Sequence, residues 1–313
     1  MVQLDMPVEP KKAATVILVR DDGQHGFRVF LLRRHGKSAF MAGTFVYPGG
    51  KLEQSDYETA LALGGETVLP AREWAAGAET AREEMLASRV AGLRELFEEA
   101  GVLLARRKGR GLCLRKPGPL RGFGSLRAAL RTGAPGLAGL AREERLTLAV
   151  DDLLYYARWI TPEASPIRFD THFFLARHPA GQEAVPDFKE TTEGVWMAPG
   201  EALRANEAGS HPLSPPTVKT VEDLSRFETA GGLFSSLTDA PVRPVLPVQV
   251  APEGRTMIVF PWDRDYEDCA RGMLAACLHD LRPSGKGDRT TRVILSGGRW
   301  LPFCKEGRGS PEA

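Results

Sequence analysis

Glu95, Glu98 and Glu99 stand at offsets of 0, 3 and 4 in the run from Arg94 to Val102, so on a helix they share one face. The stretch before them, from about Glu79, carries alanine, leucine, arginine and glutamate at helical spacing, and Gly101 supplies a stop. The acids therefore crowd the last turn of a helix, where the macrodipole favours cations. Each like-charged i,i+3 or i,i+4 pair costs roughly 0.2–0.5 kcal/mol more. A solvated acidic face is the plain reading of such a run; a site for a divalent cation, Mg²⁺ or Mn²⁺, held by hard oxygen ligands is the chemical one. Upstream, Thr44-Phe45-Val46 reads as a strand that runs through Tyr47-Pro48 into the Gly49-Gly50 turn. A strand, a glycine turn and a carboxylate helix together favour the chemical reading, a phosphate-and-metal site.

These residues resemble the signature of the Nudix hydrolases, G-x5-E-x7-R-E-U-x-E-E-x-G-U with U a bulky aliphatic residue. Gly50 matches its first glycine, and Arg94, Glu95, Leu96, Glu98, Glu99, Gly101 and Val102 match its second half in order. There are two departures. Asp56 stands at the first acidic position, and 37 residues separate it from Arg94 where the signature has seven. A box split in this way resembles the acyl-coenzyme A diphosphatase branch. Trp159-Ile160-Thr161-Pro162, Arg168 to Phe174 and the Pro215-Pro216-Thr217 segment resemble further motifs of that branch.

The resemblance implies a Nudix α/β/α sandwich, in which a mixed sheet lies between helices, with helical insertions and a small C-terminal α+β extension. The expected division is a Nudix domain over residues 1–230 and an extension over 231–313 packed on it. Insertions are expected at about 57–87, inside the box, and at about 105–150. The same resemblance implies metal ligation by Glu95, Glu98, Glu99 and the carbonyl of Gly49 or Gly50. It gives Arg94 the task of bracing the carboxylates. It makes Glu95 a ligand that also assists water activation, with Glu190 or Glu193 as the alternative late-loop carboxylate. Asp56 is expected to be a turn or N-cap residue.

For substrate, it implies a small nucleotide-linked diphosphate, preferably coenzyme A or its acyl form. Gly49, Gly50, Arg34 and Arg168 are the candidate contacts. The motif that ends at Gly50 has an arginine at Arg34 but Ala39 where a second is expected, with Arg33, His35 or Lys37 as stand-ins. ADP-ribose or another nucleoside diphosphate derivative is the alternative substrate, and a catalytically silent nucleotide-binding module is the alternative function.

The whole sequence suits a globular enzyme. In 313 residues, 42% are hydrophobic and 26% charged, ordinary values for a protein with a full core. A net charge of +1 gives no reason to expect nucleic acid or an anionic membrane as partner. The basic run from Arg106 to Arg110 is short and lacks interleaved aromatics. The start, rich in acids and prolines, lacks a secretory core. Cys113, Cys269, Cys277 and Cys304 form no paired framework, so reduced thiols in a cytoplasmic protein are expected. The extension is expected either to cover the pocket or to build a homodimer contact. Strands are expected at 15–20, 27–34, 154–160, 170–177, 195–198, 245–250, 256–260 and 291–295. The reading of 105–123 is an exposed loop. Helices are expected at 126–146, in two pieces, and near 267–281.

Overall fold

The computed structural model describes residues 7–23, 26–63, 69–70, 79–107, 110–111, 127–128, 130, 136–285 and 287–305. Strand β1, Lys11–Asp21, carries a near-continuous apolar run from Ala13 to Val19, so both of its faces are buried. Ala14, Val16 and Leu18 face one core, while Ile17 and Val19 face the other. Along one edge β1 pairs in parallel with β9, Phe169–Arg177, from Lys11 to Val19. The opposite edge is divided. Residues 19–21 pair with β2, Phe27–Arg34, whereas residues 13–15 pair with β4, the short strand Gly49–Lys51. Between those two comes β3, Phe45–Val46, on β2. With β10 (Thr191–Met197), β8 (Leu154–Ile160) and β11 (Pro244–Val245) they form an eight-stranded mixed sheet, whose main path runs β10-β2-β1-β9-β8-β11.

Helix α1, Gln54–Leu63, and the long α2, Glu79–Ala100, cover the first face. From Met85 onward α2 is buried almost all round. It comes so close to the sheet that a Cβ on Gly92 would lie 3.1 Å from Val16 Cγ2. Gly101 ends the helix at φ 70°, the left-handed conformation that glycine adopts without strain.

The second face is covered by α4 (Pro199–Ala208), α5 (Pro215–Leu224) and α6 (Ala230–Leu237). Against the same core packs a five-stranded sheet of β12 (Val248–Val250), β13 (Met257–Val259), β15 (Arg292–Ser296), β16 (Arg299–Lys305) and β14 (Leu281–Pro283). The result is the expected α/β/α sandwich with a mixed sheet.

Several local expectations are corrected. Residues 105–107 and 110–111 are not loop: β5 and β6 pair there, and β5 also pairs with β7, Thr147–Leu148. The expected C-terminal helix shrinks to α7, Tyr266–Ala270, followed by a 3-10 turn. Strands β14 and β16 were not expected. The Gly297-Gly298 turn, both residues at positive φ, joins β15 to β16 as a hairpin. Of the two helices expected within 126–146, α3 forms at Gly136–Glu143; the first falls largely outside the described residues, as do the middle of the 57–87 insertion and most of the 105–123 segment. Cys269 and Cys277 form a disulfide, and Cys304 is free and buried. That bond corrects the expectation of reduced thiols and removes that argument for a cytoplasmic location. No helix among the described residues is long and apolar enough to cross a membrane.

Candidate active site

The divided edge of β1 positions the site. Gly50 lies opposite Ala14 and Gly49 opposite Thr15, and neither has space for a side chain. A Cβ on Gly49 would meet the Ala14 carbonyl oxygen at 2.5 Å, and one on Gly50 would meet Glu95 Oε1 at 2.2 Å. The last turn of α2 therefore rests its carboxylates directly on a glycine strand. The Gly49 N–H donates to Glu99 Oε2 at 2.9 Å. Gly49→Ala must push back the β1 backbone at Ala14 and Thr15. Overpacking of this kind should cost about 1–3 kcal/mol, read as a lower urea midpoint. An unchanged midpoint would show that the contact gives way freely.

Arg94 is the hub of the acid cluster. Its Nε and Nη2 donate to the two oxygens of Asp56, each at 2.9 Å, and Nη2 also reaches the Lys51 carbonyl. Nη1 donates to Glu95 Oε1 at 2.9 Å and lies 3.6 Å from Glu98 Oε2. Asp56 is 1% exposed. It also accepts from the Glu53 N–H. It is thus more than the turn or N-cap residue expected of it: it ties α1 to α2 and orients the guanidinium. The sequence signal for this was its place in the split signature.

Asp56 and Arg94 neutralise each other, which leaves Glu95, Glu98 and Glu99 in excess. Burial, opposed chiefly by Arg94, pushes the Glu95 carboxyl up to about 7. Burial also raises Glu98, again against Arg94. Glu99 is raised well above the usual carboxylate range by burial and then by the charge of Glu95. As the side chains stand, no trio of acidic, histidine or cysteine groups among the described residues is arranged to hold a metal ion. A ready-made cage of three glutamates is therefore not what the fold presents. Glu95 and Glu98 lean on Arg94, and Glu99 caps a backbone N–H. The donor set still fits a dication, because Glu99 is buried, Glu95 and Glu98 are partly buried, and the three acids share too little positive charge to ionise together.

The acids line one end of a cleft of about 530 Å³. Arg34 and Glu190 join them there. The Arg34 Nε is buried without a hydrogen-bond partner. Asp187 holds Glu190 in place by accepting from the N–H groups of Lys189, Glu190 and Thr191 and from the Thr191 hydroxyl. A β-bulge follows between Thr191 and Glu193. The other expected residues lie elsewhere. Glu193 pairs with Arg33 at 3.7 Å, half-exposed and off the cleft. Arg168 donates to the carbonyls of Val8 and Thr161, so its guanidinium ties down the N-terminal segment rather than facing a substrate. His35, Lys37 and Ala39 do not line the cleft.

Sequence reasoning missed the other end of the cleft. Phe40, Met41, Trp159, Ile160, Phe169 and Phe260 make it apolar, and Phe40 stands edge-on to Phe169 with ring centroids 5.3 Å apart. Trp159, Ile160 and Phe169 lie in segments that the sequence singles out as motifs, though without an apolar pocket being read from them, whereas Phe40, Met41 and Phe260 lie in segments it does not.

With this geometry, residues 66–226 match the family model of the NUDT19 Nudix domain, just over half of the chain. The chain belongs to the NUDT19 Nudix family. It is 29% identical over 239 residues to the human acyl-coenzyme A diphosphatase NUDT19, covering 66% of this chain and 63% of that protein. A putative Nudix hydrolase 7 of Caenorhabditis elegans is 28% identical over 268 residues, covering 82% of this chain and 75% of that one. The structure of a Nudix hydrolase from Alicyclobacillus acidocaldarius superposes with a TM-score of 0.61 at 26% identity, over 75% of this chain and 99% of that chain. The chain thus spans somewhat less than two thirds of the human relative's length.

Proposed function

We propose that the protein is a dication-dependent diphosphatase of nucleotide-linked diphosphates, with coenzyme A or acyl-coenzyme A as substrate. The observation that carries this reading is the contact of Glu95 and Glu99 with the Gly49-Gly50 strand beside Arg34, whose buried Nε has no hydrogen-bond partner. Water attacks one phosphorus, the bridging P–O bond breaks, and two phosphate monoesters leave: 3′,5′-adenosine bisphosphate and 4′-phosphopantetheine or its acyl form. Glu95, Glu98 and Glu99 would hold Mg²⁺ or Mn²⁺, with the Gly49 carbonyl as a further oxygen donor. The ion, when bound, supplies positive charge against the negative charge that develops on the phosphoryl oxygens. Arg94, fixed by Asp56, keeps Glu95 and Glu98 turned toward the cleft. Glu95, at the strand-and-helix end of the cleft, is also placed to assist activation of the attacking water, and Glu190 is the alternative base. Arg34 steadies the diphosphate by charge-assisted hydrogen bonds.

Cleavage of a substrate panel in Mg²⁺ and in Mn²⁺, with products separated by chromatography, tests this directly. Coenzyme A or its thioesters should give the bisphosphate as the best-turned-over class. A uniform failure to cleave any of the panel would overturn the reading. One observation favours a second substrate. Ala39 supplies no guanidinium, and Arg33, His35 and Lys37 lie off the cleft, which weakens the expected grip on a 3′-phosphate. ADP-ribose lacks that group, and a higher kcat/KM on it than on coenzyme A would decide for it. A silent module would be expected to have lost an acid, whereas all of them are in place.

The pH dependence follows from the same acids. The Glu95 carboxyl lies above its ordinary 4.5 in the folded protein. Its contribution therefore favours folding below about pH 4.5 and is lost as the pH climbs to about 7. A dication binds the deprotonated form. Mg²⁺ should therefore raise Tm more at about pH 8 than at about pH 5, and a shift independent of pH would contradict the assignment.

A further inference from the structure

The apolar end of the cleft is continuous with the acidic end, yet the diphosphate chemistry uses none of it. It is not a second phosphate site. The N-terminus of α5 faces it, but its first two residues are Pro215 and Pro216, which offer no N–H. The flanking hydroxyls of Ser214 and Thr217 hydrogen-bond each other at 2.8 Å. The charged residues that line the cleft, Arg34, Lys51, Glu53, Arg94, Glu190 and the three glutamates of α2, belong to the strand-and-helix end.

The far wall comes from the C-terminal segment, as Pro247, Ile258 and Phe260. Ile258 lies on β13, paired with Val293 of β15, so a sheet backs this wall. The Phe260 ring meets Trp159 edge-on at 5.6 Å. A chamber walled by Phe40, Met41, Trp159, Ile160, Phe169 and Phe260, with no charged side chain, suits a flexible aliphatic arm carried by the same substrate.

We propose that this chamber receives the acyl arm of the substrate, and that the C-terminal sheet, through Ile258 and Phe260, determines which chain lengths are accepted. The proposal rests on the coenzyme A reading for the rest of the substrate. Chain recognition should follow buried methylenes, at roughly fourfold per methylene.

The test uses the full chain with Ile160→Trp, a half-buried position that fills the chamber, and Ile258→Ala, which enlarges it. The readout is the ratio of kcat/KM on hexanoyl-coenzyme A to that on free coenzyme A. Ile160→Trp should lower the ratio at least about tenfold; Ile258→Ala should move the preferred chain to a greater length. Equal losses on both substrates in either variant, or an unaltered ratio and chain preference, would overturn the proposal. If the wild type cleaves no coenzyme A, the functional reading fails separately. Calorimetric binding of hexanoyl-pantetheine, which has no phosphate, then decides on the chamber alone. Binding by the wild type that Ile160→Trp weakens about tenfold supports it; no binding, or equal binding, rejects it.

Discussion

Glu98→Gln lowers kcat on the diphosphate substrate by at least about 10²–10³-fold, the scale for removing one electrostatic stabiliser of the transition state. The change is nearly isosteric, and Glu98 makes only a 3.6 Å contact with Arg94, so the fold should tolerate it. Its carboxyl is raised by burial, which means the ionised group is uncomfortable where it stands. Removing that charge should leave the Tm of the metal-free protein unchanged or slightly higher. Lost turnover together with an undiminished Tm separates a working acid from a structural one. Turnover within twofold or so of the wild type would remove Glu98 from the site.

Asp56→Asn acts in the opposite way, on stability first. The bidentate pair of Asp56 with Arg94 has side-chain exposures of 1% and 6%. Arg94 keeps Glu95 and Glu98 as counter-charges, so the loss is that of charge-assisted hydrogen bonds, at a cost of about 1.5–3 kcal/mol. The exposed pair of Arg177 with Asp21, at 3.8 Å, gives the scale: Asp21→Asn should change stability by no more than about 1 kcal/mol. Urea unfolding of both variants measures the difference. Equal midpoints would show that Asp56 is no keystone. Activity of Asp56→Asn should fall as well, because Arg94 then loses the anchor that aims it at Glu95 and Glu98.

The acid cluster was legible in the sequence because its repulsion is written locally, in the spacing of Glu95, Glu98 and Glu99 before Gly101. The turn that receives it was legible as Gly49-Gly50. The sandwich could be read from the near-continuous apolar runs of β1, β2 and β9, whose buried residues fall on two faces. What the sequence hid depends on long-range pairing. The burial of Asp56 follows from α1 folding back on α2, a tertiary contact with no local trace. Arg168 and Glu193 looked like site residues because they flank strands rich in motif residues. Only the register shows that one binds carbonyls at the N-terminal segment and the other pairs along the sheet with Arg33. The apolar chamber joins β8, the 35–44 loop, the α5 N-terminus and β13, and no sequence window contains more than one of these. The three glutamates share a helix face as expected. Arg94 and the Gly49 N–H, however, decide where their oxygens point, and that turns an expected cage into a set of acids still held by protein partners.

The most direct test of the account is the anomalous scattering of Mn²⁺ in crystals grown with the ion. The account predicts a peak among the carboxylates of Glu95, Glu98 and Glu99 beside Gly49, with Glu95 and Glu98 swung off Arg94 toward it and Asp56 still paired with Arg94. A fully soaked crystal in which the three acids stay on their present partners, with no manganese among them, would contradict it.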